Sequence, residues 1–150
     1  MLKTAKEAYE YAYNNGVKFP TNWYITKNFK WNEAFVNELS SDGIPIFEVF
    51  ENVVHMAYYM QQFRDKIGKP INVHCWVRQI PHNKRAGSTA KYSSHINGLA
   101  VDFDVTGLNS NEVRAFALAC KLDVRIEKDT QGWVHFDRTR YATYRPGLFS

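Results

Sequence analysis

Residues 93–105 read Ser-Ser-His-Ile-Asn-Gly-Leu-Ala-Val-Asp-Phe-Asp-Val, and from the leucine onward every second side chain is a large apolar one. A period of two predicts a β-strand with one apolar face and one face that carries the carboxylates. His95 lies just before this strand, and Gly98 separates the two. Because glycine adopts backbone angles that other residues resist, we expect the chain to turn there and bring His95 back toward Asp102.

A second segment supplies a further histidine. Residues 133–137 read Trp-Val-His-Phe-Asp, which places His135 on a polar strand face. If the two strands are neighbours, His135 points at the same place as His95 and Asp102. Two imidazole nitrogens and one carboxylate oxygen suit zinc, and three protein ligands leave a fourth position for water. Since zinc lowers the pKa of bound water, the pattern predicts hydrolytic chemistry.

The ordered pattern Ser-x-His-x-x-Gly-x-Ala-x-Asp, followed by Trp-Val-His-x-Asp, resembles the zinc D,D-peptidases of the M15 type, which share a fold with the Hedgehog signalling domain. The resemblance implies a Zn²⁺ ion held by His95, Asp102 and His135. It also implies hydrolysis of peptidoglycan stem peptide or cross-link, as in D,D-carboxypeptidases, endopeptidases and phage endolysins. It does not separate these activities.

The segment 67–78 resembles a further motif of these peptidases, Gly-Lys-Pro-Ile-x-(Ile/Val)-x-Ser-Gly-(Tyr/Trp)-Arg, with Cys75 in place of the serine. By this resemblance Arg78 binds the carboxylate of the substrate or orients its peptide, and a planar guanidinium suits that task. Trp76 and Ser93 are expected to help shape the cleft, with buried packing as the alternative for Trp76. Strict alternation predicts two faces, a buried one with Ile71, Val73, Cys75 and Val77 and another with Asn72, His74, Trp76 and Arg78.

The sequence offers several candidates for the general base. Some M15 members carry an acidic residue three positions before the last histidine ligand, where this chain has Gly132. A Hedgehog-like hairpin pattern suggests Glu127 as the base instead, with Asp129 at the hairpin tip as the alternative. Asp137 shares the face of the last histidine and is expected to orient it. If neither acidic residue lies near the metal, the sequence leaves inactivity or a histidine base, His74 or His82.

The remaining sequence predicts short helices followed by a small sheet. The expected elements are a helix opened by a capping box at Thr4–Glu7 and running to Asn15, helices over 31–39 and 47–67, a helix over 112–121 capped by Asn109 or Ser110, a hairpin of 124–127 with 133–137, and a surface tail over 139–150. We therefore predict one α+β domain over residues 1–150. In it, N-terminal helices pack on a small, mainly antiparallel sheet.

The composition indicates which classes of partner the protein binds. The 150 residues carry a formal charge of +4, which favours anionic partners. No dense Lys/Arg patch and no nucleic-acid motif is present, so we expect no nucleic-acid partner. No apolar run is long enough to cross a membrane, and we expect a monomer.

The first residues are charged and show no signal peptide. The sequence therefore predicts synthesis in the cytoplasm and delivery to the cell wall by holin release or on a virion. An alternative function also stands: a catalytically inactive, zinc-stabilised domain that binds cell wall or builds a virion.

Overall fold

The computed structural model describes residues 1–85, 94–139 and 146–150, without the side chains of His82, Asn83 and Arg85. Its helices are α1 (Ala5–Asn15), α2 (Trp31–Ala34), a 3₁₀ turn (Ser40–Asp42), α3 (Phe47–Ile67), α4 (Ile80–Arg85) and α5 (Ser110–Ala119). Its strands are β1 (Tyr24–Thr26), β2 (Phe29–Lys30), β3 (Ile71–Cys75), β4 (Ala100–Val105), β5 (Arg125–Glu127), β6 (Val134–Asp137) and β7 (Gly147–Phe149).

The strands form a small β1–β2 pair and a five-stranded sheet in the order β3-β4-β6-β5-β7. All neighbours in the larger sheet are antiparallel except β5 and β7. The predicted α+β class, with a small and mainly antiparallel sheet, is confirmed. The predicted surface tail is wrong in part, because Gly147–Phe149 extends the sheet beside Arg125–Glu127 instead of only covering the surface.

The five-stranded sheet has one apolar face and one polar face. Phe103 of β4 and Phe136 of β6 lie on the apolar face, with their ring centroids 4.8 Å apart. The ring of Phe63 on α3 packs against both, at 6.0 and 5.1 Å. Because side chains alternate along a strand, Asp102 and His135 on the same two strands point to the opposite, polar face. Core packing on one face therefore fixes the strands that present the predicted ligands on the other.

The first and third helices are those that the sequence predicts. The Thr4 side chain accepts a hydrogen bond from the Glu7 backbone N–H at 3.1 Å, and the Glu7 side chain accepts one from the Thr4 backbone N–H at 3.1 Å. α3 spans Phe47–Ile67 as predicted and ends at Gly68, which has a left-handed conformation. None of the helices in the described ranges is both long and apolar enough to cross a bilayer.

The predicted helix over 31–39 is much shorter in the structure. α2 ends at Ala34, and Lys30 precedes it as N-cap. Phe35 leaves the helical conformation with φ −121° and packs its ring 5.3 Å from that of Phe50 on α3. Burial of this ring in the core thus prevails over continued helix.

β3 contains a β-bulge that strict alternation did not predict. Val73 pairs with Phe103, but the next pair is Cys75 with Asp102, so His74 is an extra residue. From the bulge onward the predicted faces are wrong for Cys75 and Trp76, whereas Val77 is buried in the core as predicted. Cys75 lies level with Asp102, and Trp76 enters the core with no exposed surface.

Candidate metal centre

A tight turn positions His95. The backbone N–H of Gly98 donates to the His95 carbonyl at 3.1 Å, and Gly98 has a φ of +77°. A Cβ atom at this position would lie 3.0 Å from Val53 Cγ2 and 3.1 Å from the Val49 carbonyl oxygen of α3. Two constraints therefore require glycine at position 98: the left-handed backbone and the close approach of α3.

The three predicted ligands converge on one point. Asp102 and His135 are directly paired on β4 and β6, and His135 Nδ1 lies 2.7 Å from Asp102 Oδ1. His95 Nε2 lies 3.2 Å from Asp102 Oδ2, and one ligand atom from each residue lies within 4.8 Å of the others. Tetrahedral zinc with bonds of about 2.0–2.1 Å needs ligand atoms about 3.3 Å apart. The donor types and the spacing both fit zinc.

The outer nitrogen of each imidazole already has an acceptor. His95 Nδ1 donates to the Trp76 carbonyl at 2.8 Å, and His135 Nε2 donates to Asp137 Oδ2 at 2.9 Å. These contacts fix the ring orientations and leave His95 Nε2 and His135 Nδ1 to face Asp102. Such outer contacts are how proteins orient histidine ligands of metals.

Asp137 is itself held in place from the far side. It is buried, and Arg125 Nε and Nη2 donate to its two oxygens at 2.6 and 3.0 Å. The Arg125 guanidinium also lies over the Phe149 ring of β7, 4.0 Å from its centroid. β7 thus helps to hold Arg125, which holds Asp137 and through it orients His135.

Without a metal, the three ligands share protons. Burial lowers the pKa of both histidines, but hydrogen bonds to Asp102, with Cys75 at His95 and Asp137 at His135, outweigh burial and raise each pKa to about 9. Burial raises the pKa of Asp102, but hydrogen bonds from His135 and His95 hold it well below its ordinary range. A cation placed between these groups would replace the protons that now neutralise the carboxylate.

Comparison with known protein families agrees with this geometry. The sequence profile of the family described as Peptidase M15 matches residues 21–137. The chain belongs to the Peptidase M15 family. Membership assigns it to the metallopeptidases, a class of hydrolases, and the three converging side chains of this M15 chain form a group that could hold a metal ion. A comparison with curated proteins finds no match.

Cys75 is a site residue that sequence reasoning missed. Its side chain interacts with that of His95 and helps to raise the pKa of that histidine. The bulge in β3 brings it level with Asp102. The available signal was its alignment with the serine of the M15 motif, because a thiol and a hydroxyl can make similar contacts.

Arg78, predicted to bind substrate, lies next to the metal ligands. Its backbone N–H donates to the His95 carbonyl at 3.0 Å. Its side chain is partly buried, and its Nε–H is buried without an acceptor among the described residues. A buried donor without a partner is costly, so an acceptor that reached this Nε–H would be favoured.

The other two predicted substrate contacts fare differently. Trp76 is fully buried and donates its Nε1–H to the Gly98 carbonyl at 3.0 Å. This burial contradicts the expectation that Trp76 lines the cleft, since its side chain instead braces the turn that carries His95. Ser93 lies outside the described residues, so its role stays a prediction.

The candidate bases occupy distinct places. Arg125 pairs with Asp137 and Ile126 with Phe136, so continuing this register brings Glu127 opposite His135 on the polar face. Asp129 is exposed on the connection between β5 and β6. The structure therefore favours Glu127 over Asp129 by position.

Gly132 stands where some M15 members have the acid. Its φ is +85°, a left-handed conformation that a glutamate would adopt only with strain. Of the histidine alternatives, His74 pairs with Asp104, and the side chain of His82 lies outside the described part of the structure.

Proposed function

We propose that this M15 metallopeptidase uses zinc to hydrolyse the peptide of bacterial peptidoglycan. The observation that carries the proposal is the convergence of His95 Nε2, Asp102 and His135 Nδ1, with both outer imidazole nitrogens already occupied. Three ligands are the number that catalytic zinc sites use, whereas structural sites are closed by four. The peptidoglycan substrate is supported by the motif resemblance.

The residues around the metal ligands divide the remaining work. Bound zinc would supply Lewis-acid activation of the scissile carbonyl and of water. Glu127, level with His135, accepts the proton of the attacking water and returns it to the leaving amine. Arg78 holds a substrate carboxylate through its planar fork. Asp137 and the Trp76 carbonyl keep the two imidazoles in the required orientation.

The test is mass spectrometry of fragments released from purified peptidoglycan. We expect the zinc-loaded protein to release fragments, and we expect a chelated sample and the His95→Ala variant to release none. The new chain ends name the bond: free D-alanine indicates a D,D-carboxypeptidase, and separated stem peptides or cross-links indicate an endopeptidase. Equal release with and without chelator would overturn the zinc-dependent mechanism.

One observation favours a second function. The position three residues before His135 is Gly132, whose left-handed backbone disfavours the acid found there in other members. A chain that keeps its metal without an effective base would be a zinc-stabilised domain that binds cell wall or forms part of a virion. That reading predicts about one zinc per chain, sedimentation with peptidoglycan and no released fragments from several wall types.

A further inference from the structure

A second row of side chains lies beside the metal ligands on the polar face of the sheet. Asn72 pairs with Asp104 across β3 and β4, and Phe103 pairs with Val134 across β4 and β6. Continuing the latter register by one residue brings Asp104 beside Trp133. Since Asp104 follows Asp102 by two residues, this row lies about 7 Å from the metal row. We call Asn72, His74, Asp104 and Trp133 the second row.

The polar half of the second row is fixed but accessible. Asn72 Nδ2 donates to Asp104 Oδ1 at 2.7 Å and to Thr106 Oγ1 at 3.2 Å, while His74 Nε2 pairs with the other Asp104 oxygen. The side chains of His74 and Asp104 are nevertheless 43% and 40% exposed. Their hydrogen-bonding groups are therefore held in place before any ligand arrives, which lowers the cost of binding.

The apolar half of the second row is an exposed indole. Trp133 is 41% exposed, and no aromatic ring or cation among the described residues packs against it. Trp133 and Asp104 both border a cavity of about 240 Å³, whose remaining lining includes Val105, Leu108 and Val113 on the α5 side of the sheet. Because it lies beside the candidate active site, this exposed indole is available to contact a bound ligand.

The combination of these halves selects a class of ligand. A sugar ring offers an apolar C–H face to an indole and hydroxyl or acetamido groups to fixed donors and acceptors. A cationic side chain is a poorer match, because both Asp104 oxygens already accept hydrogen bonds and the chain carries a net charge of +4. A purely apolar partner would take the partly exposed Asp104 and His74 side chains out of water and offer no hydrogen bond in return.

We propose that the second row is a sugar subsite that binds an N-acetylated amino sugar of the glycan strand next to the peptide being cleaved. The proposal rests on the proposed function, since it names the neighbouring part of the same substrate. At about 7 Å from the metal row, the subsite is about two extended residues from the reacting bond.

The experiment measures binding of tri-N-acetylchitotriose, by calorimetry and by the shift of the Trp133 indole N–H signal in NMR spectra. It uses the wild-type chain and the His95→Ala variant, so the result does not depend on hydrolysis. We expect both proteins to bind the trisaccharide with similar affinity. Trp133→Ala and Asp104→Asn should each weaken binding at least tenfold. Tyr13→Ala, which removes an exposed aromatic ring on α1, should not.

Several outcomes would overturn the sugar subsite. These are the absence of trisaccharide binding at millimolar concentration, binding that Trp133→Ala leaves unchanged, and tighter Trp133-dependent binding of a lysine-containing tripeptide than of the sugar. Hydrolysis of peptidoglycan without sugar binding would refute this inference and leave the proposed function standing. Sugar binding without hydrolysis would support the inference and refute the peptidase proposal in favour of the wall-binding domain.

Discussion

At the scale of single residues, the candidate metal ligands are held in place by contacts with the residues behind them. His135 is oriented by Asp137, and Asp137 is held by Arg125. His95 is oriented by a backbone carbonyl, which no side-chain substitution removes directly. A substitution can therefore remove the group that orients His135 but not the group that orients His95.

This difference gives a prediction for Asp137→Ala. Loss of the acceptor on His135 Nε2 frees the imidazole to rotate, and loss of such a contact typically weakens metal affinity about 10–100-fold. Zinc affinity is measured by competition with a chromophoric chelator. Asp123→Ala is the control, because Asp123 is an exposed carboxylate paired with Arg138. Equal zinc affinity in both variants would show that Asp137 does not orient His135.

Gly98 gives a prediction about stability. Gly98→Ala forces a Cβ into a left-handed backbone and against Val53 and the Val49 carbonyl, so the free energy of unfolding should fall by about 2–4 kcal/mol. Gly68→Ala is the control, with a left-handed backbone at φ +65° but nothing within 4 Å of the added carbon, and should lose only about 1–2 kcal/mol. Urea unfolding of the two variants checks this, and equal losses would argue against the steric contribution.

At the scale of elements, the β5–β6 hairpin carries the candidate base. Position favours Glu127, which lies level with His135, over the exposed Asp129. We expect Glu127→Gln to lower kcat on peptidoglycan peptides by about 10²–10⁴-fold while zinc content stays unchanged. Asp129→Asn should change kcat little. A large loss of kcat in Asp129→Asn, together with an active Glu127→Gln, would show that Asp129 and not Glu127 is the base.

The sequence predicted elements well where local signals and tertiary packing agree. Each of three local signals specifies one structure: the capping box at Thr4, the apolar residues at helical spacing in α3, and the alternation around Asp102. Prediction failed where a contact between residues distant in sequence determines the local structure. Phe35 leaves its helix for the core, and the β3 bulge depends on pairing with β4, which no local pattern of β3 reveals.

The same distinction holds for the site. The ligand residues follow from motif and periodicity, and the structure brings them together. The contacts of Cys75 with His95 and of Trp76 with the turn follow from the bulge, so alternation alone misplaced both residues. The pairing of β7 with β5, which places Phe149 against Arg125, also joins segments that are distant in sequence.

At the scale of the whole molecule, the metal site links stability to pH. In the metal-free protein the pKa values of His95 and His135 are raised from 6.5 to about 9. Their protonated forms therefore stabilise the fold fully below pH 6.5, and this contribution is lost as the pH rises through about 9. Because the pKa of Asp102 is lowered instead, its contribution is already complete above about pH 4 and stays constant in this window.

We accordingly expect the Tm of chelated protein to fall between pH 6.5 and 9. Zinc-loaded protein should show no such fall, because metal binding already requires neutral imidazoles and replaces the shared protons. Thermal unfolding followed by circular dichroism at several pH values makes the comparison. A Tm of the chelated protein that stays level across this window would contradict the proton-sharing arrangement of the metal-free site.

We propose that His95, Asp102 and His135 hold one zinc ion, and the zinc content of the purified protein, measured by plasma mass spectrometry, tests this directly. We predict about one zinc per folded chain in the wild type, and almost none in His95→Ala and His135→Ala with their circular dichroism largely unchanged. His55→Ala, which alters an α3 histidine that contacts Tyr59 and Arg138, should keep its zinc. Unchanged zinc content in both ligand variants would contradict the account.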